Sequence, residues 1–425
     1  MRVLLSTIGS RGDVQPMVAL ALRLKDLGQE VRICAPPDFR EWIDTFEIPF
    51  VPVGPEVRQT AAPTPSTTQL PPTPEQLRQL MEDTVADQFK TITVAAMGCD
   101  VLVAGMALQF ALHSIAERMG IPYFYAAWCP ITLPSPHHAP PPLPSWAQPP
   151  TDGTTDNRTL WSQDAKRWND KWAAAINSQR AAAGLEPVSD VRSHIFTDRP
   201  WLAADPTLAP WPKTADLDVV QTGAWIYSDQ SPLSLELDSF LDAGEPPVYF
   251  GFGSMRASQD VGRAMINAAR ALGRRAIVSR GWAGVTLPDD EHDCLSIGEV
   301  NLQALFKRVA AVVHHGGAGT TTAAAQAGAP QVVVPQMYDQ HYFAKRVQQL
   351  GIGTAHAPGQ PTDDSLTEAL SHTLQPDVAI RARVVAVSVR TDGAEVAARR
   401  LIDEVSRSAL RSELSHAGHS AAGQN

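Results

Sequence analysis

Residues 309–322 of this 425-residue chain, VAAVVHHGGAGTTT, restrict its fold more than any other stretch. The uninterrupted apolar run 309–313 predicts a short strand buried on both faces of a parallel sheet, and the Ala-rich run 321–326 favours helix. Gly316, Gly317 and Gly319 form the junction. A strand that turns through glycine into a helix aims unpaired backbone N–H groups, and the positive end of the helix dipole, at one point that suits an anion such as phosphate. His314 and His315 stand at the mouth of the turn. They fit either packing within a tight turn or, for His315, donation to a phosphoryl oxygen beside the backbone of Gly316, Gly317, Ala318, Gly319 and Thr320.

The start of the chain repeats the pattern. Residues 2–6 predict a strand, 7–12 a glycine-containing loop, 14–27 a helix closed by Gly28, and 30–35 a second strand. With further strands near 100–104 and 123–127, this predicts a parallel sheet with helices on both faces and a ligand crevice beyond the carboxyl ends of its strands. Asp13 lies at the entry to the first helix, where it fits an N-terminal cap or, facing the crevice, a base; a carboxylate that accepts backbone N–H groups is the weaker base. In the second half, 248–250 runs into the turn 251–254 that carries Ser254, and strands follow at 274–280, 294–297 and 331–335. Asp339 and Gln340, in the loop after the last of these, offer the acceptors and donors that bind sugar-like hydroxyls, and equally those of an exposed polar loop. Trp161, Trp168 and Trp172 recur at helical spacing across 160–183 and predict core. Residues 366–373 and 393–405 predict closing helices, with a polar, disordered tail from 406.

A chain of this length predicts two domains. No run is long and apolar enough for a membrane span, and residues 1–6 read as a strand rather than a signal peptide, so a cytoplasmic protein is expected. Cys34, Cys99, Cys129 and Cys294 lack metal-ligand spacing and predict buried thiols. A formal charge of −10 argues against nucleic acid as a partner. Arg256 breaks the G-x-G-x-x-G fingerprint after residue 251, which argues against a nicotinamide-dependent enzyme. The triplet 216–218 (Asp-Leu-Asp) precedes apolar sequence and is not expected to hold a metal. The Pro-rich regions 52–74 and 130–156 predict functional loops or disorder, and Phe110, Trp128 and Trp146 are candidates either for contact with a bulky acceptor or for core.

The run His315-Gly316-Gly317-Ala318-Gly319-Thr320, with Pro335-Gln336-Met337-Tyr338-Asp339-Gln340, resembles the donor-site signature of GT-B fold, metal-independent family 1 glycosyltransferases. Residues 9–13 (GSRGD), 197–205 (TDRPWLAAD), 221–225 (QTGAW) and 251–254 (GFGS) bring it nearer to the actinobacterial enzymes that glycosylate vancomycin-type glycopeptides. The likeness spans nearly the whole chain except the last dozen or so residues. It implies two doubly wound Rossmann-like domains facing across a cleft: 1–213 for the acceptor, 214–396 for the nucleotide sugar, and 397–425 as a helix crossing back plus a disordered tail. It implies Asp13 as the general base, Ser10, Arg11 and Ser254 near the donor phosphates, Val300 at the nucleotide base, and Asp339 and Gln340 on the sugar. Plant relatives stack tryptophan on the base where this chain has Glu299, which leaves uridine and thymidine open, with Trp282 a possible substitute. The implied reaction is inverting transfer of a hexose from a UDP- or dTDP-sugar to a natural-product hydroxyl, without cofactor or metal, the acceptor being foremost a glycopeptide aglycone. The alternatives are a polyketide, sterol or phenolic acceptor, or a sugar-nucleotide epimerase on the same fold.

Overall fold

The computed structural model of the protein describes residues 1–58, 73–106, 108–141, 155–255, 259–289 and 291–422. Two parallel sheets organise it. The first contains β1 (Arg2–Thr7), β2 (Glu30–Ala35), β3 (Phe50–Pro52), β4 (Val101–Gly105), β5 (Tyr123–Ala127), β6 (Trp201–Leu202) and β7 (Val220–Gln221), in the order β3-β2-β1-β4-β5-β6-β7. The second contains β8 (Val248–Gly251), β9 (Ala276–Ser279), β10 (Cys294–Ile297), β11 (Ala311–His314), β12 (Gln331–Val333) and β13 (Gly353–Ala355), in the order β10-β9-β8-β11-β12-β13. Each sheet winds outward in both directions from its first strand. The topological switch points therefore lie between β1 and β4 and between β8 and β11, and ligand crevices open beyond the carboxyl ends of those strands.

The expected elements form for the expected reason. In the helix Arg11–Asp26, Val14, Met17, Val18, Ala21 and Leu24 recur on one face and are buried, each large side chain contributing about 1.5–3 kcal/mol. Trp161, Trp168 and Trp172 are core on the helix Asn157–Ala182. The helix Gly393–Ala422 returns to the first domain, where Ala394, Ala397, Ala398 and Leu401 share a cluster with Met17, Val18 and Leu24. All four cysteines are buried free thiols. No described helix is long and apolar enough to cross a membrane.

Two expectations need correction. The first domain does not end at 213: β7 pairs outside β6, Val220 N–H donating to the Pro200 carbonyl and Thr222 N–H to that of Leu202, at 3.0 Å each. Two residues are too few to show strand alternation. A helix, Leu235–Asp242, capped by Ser234, then leads into β8. The tail is not disordered from 406, because the last helix continues to Ala422; its Ala, Arg, Glu and Leu content favours helix despite its polarity.

Candidate active site

The crevice at the first switch point is built around Asp13. Ser10 is the N-cap of the helix Arg11–Asp26, and its backbone N–H donates to Asp13 Oδ2 at 2.8 Å, with its hydroxyl 3.4 Å from the same oxygen. Asp13 thus closes a capping box, as one sequence reading holds, and still faces the cleft. Burial pushes its carboxyl up to about 6 against these hydrogen bonds, so desolvation outweighs the cap in setting its proton affinity. The Trp128 indole also favours the carboxylate, although its N–H forms no complete hydrogen bond. Gly9 leaves the carboxylate its room: a Cβ there would stand 2.1 Å from Asp13 Oδ2.

At the second switch point, β11 lies beside β8 with His314 opposite Gly251. The adjacent histidines divide the work. His314 is fully buried; its Nδ1 accepts from Gly316 N–H at 3.0 Å, so Nε2 carries the proton and donates to Gln331 Oε1 at 2.9 Å. Burial lowers its pKa to about 3 and keeps it neutral, as a brace for the turn. His315 faces the other way, between Gly253 and Gly317, where a Cβ would come within 3.2 and 2.6 Å of its ring. Its Nδ1 has no partner, and burial lowers its pKa to about 4. Gly316 takes φ +94° to make the turn. Gly317 caps the helix Ala318–Ala327 without a side-chain bond, which leaves the N–H groups of Ala318, Gly319 and Thr320 uncapped, and nothing lies within 4 Å of where a Gly319 Cβ would be. Ser254 is half-buried in the turn after β8, whose Gly253 carbonyl accepts from Trp282 N–H at 2.9 Å.

The loop after β12 faces Asp13. Asp339 caps the helix Gln340–Gln349 with its backbone only, leaving the carboxylate free. Burial first, and then the Asp13 charge, push it up to about 7, so the two carboxyls lie near enough to interact. Gln340 is more committed than its sequence reading implies: Oε1 accepts from the N–H groups of Gln336 (2.8 Å) and Met337 (3.1 Å), and Nε2 points to Met255 Sδ at 3.3 Å.

The other expected residues have the following surroundings. The Arg11 guanidinium stacks 3.4 Å over Trp42, donates to Gln15 and lies 3.8 Å from Glu299, which Arg58 meets at 3.4 Å. It bridges the two domains at the cleft rim, because stacking on Trp42 offers it a better place than open solvent. Val300 packs into the cluster of Tyr249, Ile297, Leu305 and Phe306. Trp282 sits against Phe39 of the first domain, ring centroids 6.3 Å apart. Phe110 stacks on Trp172 at 4.0 Å and Trp128 packs on Trp225 at 5.3 Å; both are core, 2% and 5% exposed, rather than open acceptor surface. Trp146 lies outside the described residues. Asp216 and Asp218 pair with Arg158 and Arg199 at 2.9 and 3.0 Å, which accounts for both carboxylates of the triplet. Sequence reasoning missed Trp42, on which Arg11 stacks, and the cross-cleft pair Thr132 and Tyr338; only Tyr338 lies within a recognised motif.

Residues 3–135 match the glycosyltransferase family 28 N-terminal domain, and residues 286–408 match the C-terminal domain of proteins like erythromycin biosynthesis protein CIII. The chain is 53% identical over 409 residues to vancomycin aglycone glucosyltransferase of Amycolatopsis orientalis, covering 96% of this chain and 98% of that one. It is 45% identical over 414 residues to dTDP-epi-vancosaminyltransferase of the same organism, covering 96% and 98%. Among solved structures, the spinosyn forosaminyltransferase SpnP has a TM-score of 0.68 at 17% identity (96% and 99% covered), and glycosyltransferase VinC in complex with dTDP one of 0.65 at 21% (96% and 100%), likenesses of fold. The chain belongs to the glycosyltransferase family of these Amycolatopsis proteins and is an enzyme of the GT-B fold.

Proposed function

We propose that the protein moves a hexose from a UDP- or dTDP-sugar to a hydroxyl of a vancomycin-type glycopeptide aglycone in antibiotic biosynthesis, inverting the anomeric centre without a metal ion or further cofactor. The observation that carries this is the placement of Asp13, a carboxyl raised to about 6, at the first switch point, with the uncapped helix start and His315 at the second. The names of the relatives support the acceptor and the sugar nucleotide. Asp13 takes the proton of the acceptor hydroxyl as its oxygen bonds to the anomeric carbon, and the bond from that carbon to the diphosphate breaks. The leaving diphosphate keeps the electron pair. It is met by the protonated nitrogen of neutral His315, by the N–H groups of residues 317–320 and by Ser254, donors fixed in advance where charge grows. Asp339 accepts from sugar hydroxyls and Gln340 shapes its loop. Val300, Arg11 and Glu299 border the nucleotide, and Ser10 acts mainly by holding Asp13.

The test is mass spectrometry of the purified protein with vancomycin aglycone and a panel of UDP- and dTDP-hexoses, in EDTA, with Asp13→Asn as control. The expected product is the aglycone plus one hexose, absent with the variant. No product, while the sugar nucleotide is consumed or rearranged, would refute the reading in favour of an epimerase.

A further inference from the structure

The segment that begins at the end of β12 belongs to the second domain by topology, but the first domain receives its side chains. Phe343, 2% exposed, lies in one cluster with Phe110, Tyr125 and Leu133, and Tyr342 packs against the same cluster. Arg346 extends the contact, donating from Nε to the Leu208 carbonyl at 2.9 Å and from Nη2 to that of Thr207 at 3.0 Å. At the head of this strip the Tyr338 hydroxyl donates to Thr132 Oγ1 at 3.3 Å. Thr132 is 3% exposed and closes the single turn Pro130–Thr132 beyond β5, so the acceptor oxygen is fixed by the first domain.

Two further features single out Tyr338. Its backbone has φ +52°, a left-handed conformation that a bulky residue keeps only where its surroundings over-determine it. Burial, and after it the charges of Asp339 and Asp13, disfavour loss of the phenol proton, so the hydroxyl remains a donor to Thr132. The loop is thereby held on two sides: Gln340 binds the N–H groups of Gln336 and Met337, and Tyr338 reaches across to Thr132. The residue between these two anchors is Asp339.

We propose that Tyr338 is a positioning residue that couples closure of the cleft onto the Pro130–Thr132 turn to the seating of Asp339 opposite Asp13. This rests on the roles given to those carboxyls under the proposed function. The present 3.3 Å is long for a pair of hydroxyls, whose usual separation is about 2.7–2.8 Å, and the bond shortens as substrates draw the domains together. The link is made most fully in the transition state, so its loss lowers kcat and kcat/KM together and leaves the donor KM nearly unchanged.

The experiment is steady-state kinetics of transfer to vancomycin aglycone, from whichever UDP- or dTDP-hexose the wild type uses, on Tyr338→Phe, Thr132→Val and their combination. Each single variant loses about 3- to 10-fold in kcat, the factor for one neutral hydrogen bond, with donor KM within about twofold. The double variant is no slower than the slower single, donor hydrolysis per transfer rises, and Thr132→Ser restores most of the rate. Losses that multiply in the double variant, or that fall on KM alone, overturn the proposal. Wild-type transfer that Asp13→Asn abolishes and Tyr338→Phe leaves untouched overturns it while the proposed function stands. If the wild type transfers nothing, amide exchange still decides: saturating UDP or dTDP slows exchange across 336–340 in the wild type and not in Tyr338→Phe, and equal slowing in both refutes the coupling.

Discussion

Gly9→Ala tests whether Asp13 works from the position in which the loop holds it. The added methyl would stand 2.1 Å from Asp13 Oδ2 and 2.5 Å from Cγ, whereas ordinary contact begins near 3.4 Å. The obstacle is the carboxylate itself, held in place by the Ser10 N–H at 2.8 Å, so either the carboxyl swings away or the loop lifts. Each response moves the base by more than about 1 Å, and a misplacement of that size costs about 10²-fold in rate. Loss of the capping box costs about 1 kcal/mol in stability, a small drop in melting temperature for a chain of this length. The assay is kcat for hexose transfer beside a thermal melt and nucleotide binding. The expected result is kcat reduced about 100-fold toward the Asp13→Asn value, which itself lies about 10²- to 10⁴-fold below wild type, with nucleotide affinity retained. Activity within threefold of wild type would show that the carboxylate's place beside Gly9 is not what catalysis uses.

Two other outcomes follow from the same geometry. With Asp13 raised to about 6 by burial, kcat/KM falls as pH drops through about 6, since the base must be ionised, and Asp339→Asn leaves that limb in place, because Asp339, raised to about 7, is already uncharged there. Both carboxyls lie above their unfolded value of 3.8, so the native state binds protons that the unfolded chain does not, and stability declines as pH rises from about 4 to about 7. Melts against pH should show that slope in the wild type and lose it in Asp13→Asn/Asp339→Asn; a persistent slope would assign it to other groups. His314→Leu leaves Gly316 N–H and Gln331 Oε1 unpaired, at about 1–3 kcal/mol each, and lowers the melting temperature. His315→Ala leaves the melt nearly unchanged and lowers kcat about 100-fold, because its Nδ1 bonds to nothing in the protein; the reverse pattern in paired melts and kinetics would exchange the roles of the two histidines.

What could be read from the chain and what could not divide along physical lines. Glycine turns after apolar strands declare themselves because few residues can stand there, and the turns at both switch points are legible in the chain: 9–12 after β1, and 251–254 with 315–320 after β8 and β11. Asp13 stands out by position, yet both of its readings stay open in the sequence, which shows that a carboxylate can cap a helix but not how much burial opposes the cap. The tandem histidines looked alike because their difference lies in partners 17 residues apart (His314 with Gln331) or in none (His315). Arg11 is placed by a neighbour, Trp42, that no local pattern brings near it. Phe110 and Trp128 show the opposite limit: aromatic residues beside a cleft and aromatic residues beneath it have the same composition, and only packing against Trp172 and Trp225 separates them. The link from Tyr338 to Thr132 spans 206 positions and two sheets, so it exists only once both domains are folded and facing. That is also why it suits the proposed control of closure: it is a contact that neither domain makes alone, and it lies one residue from Asp339.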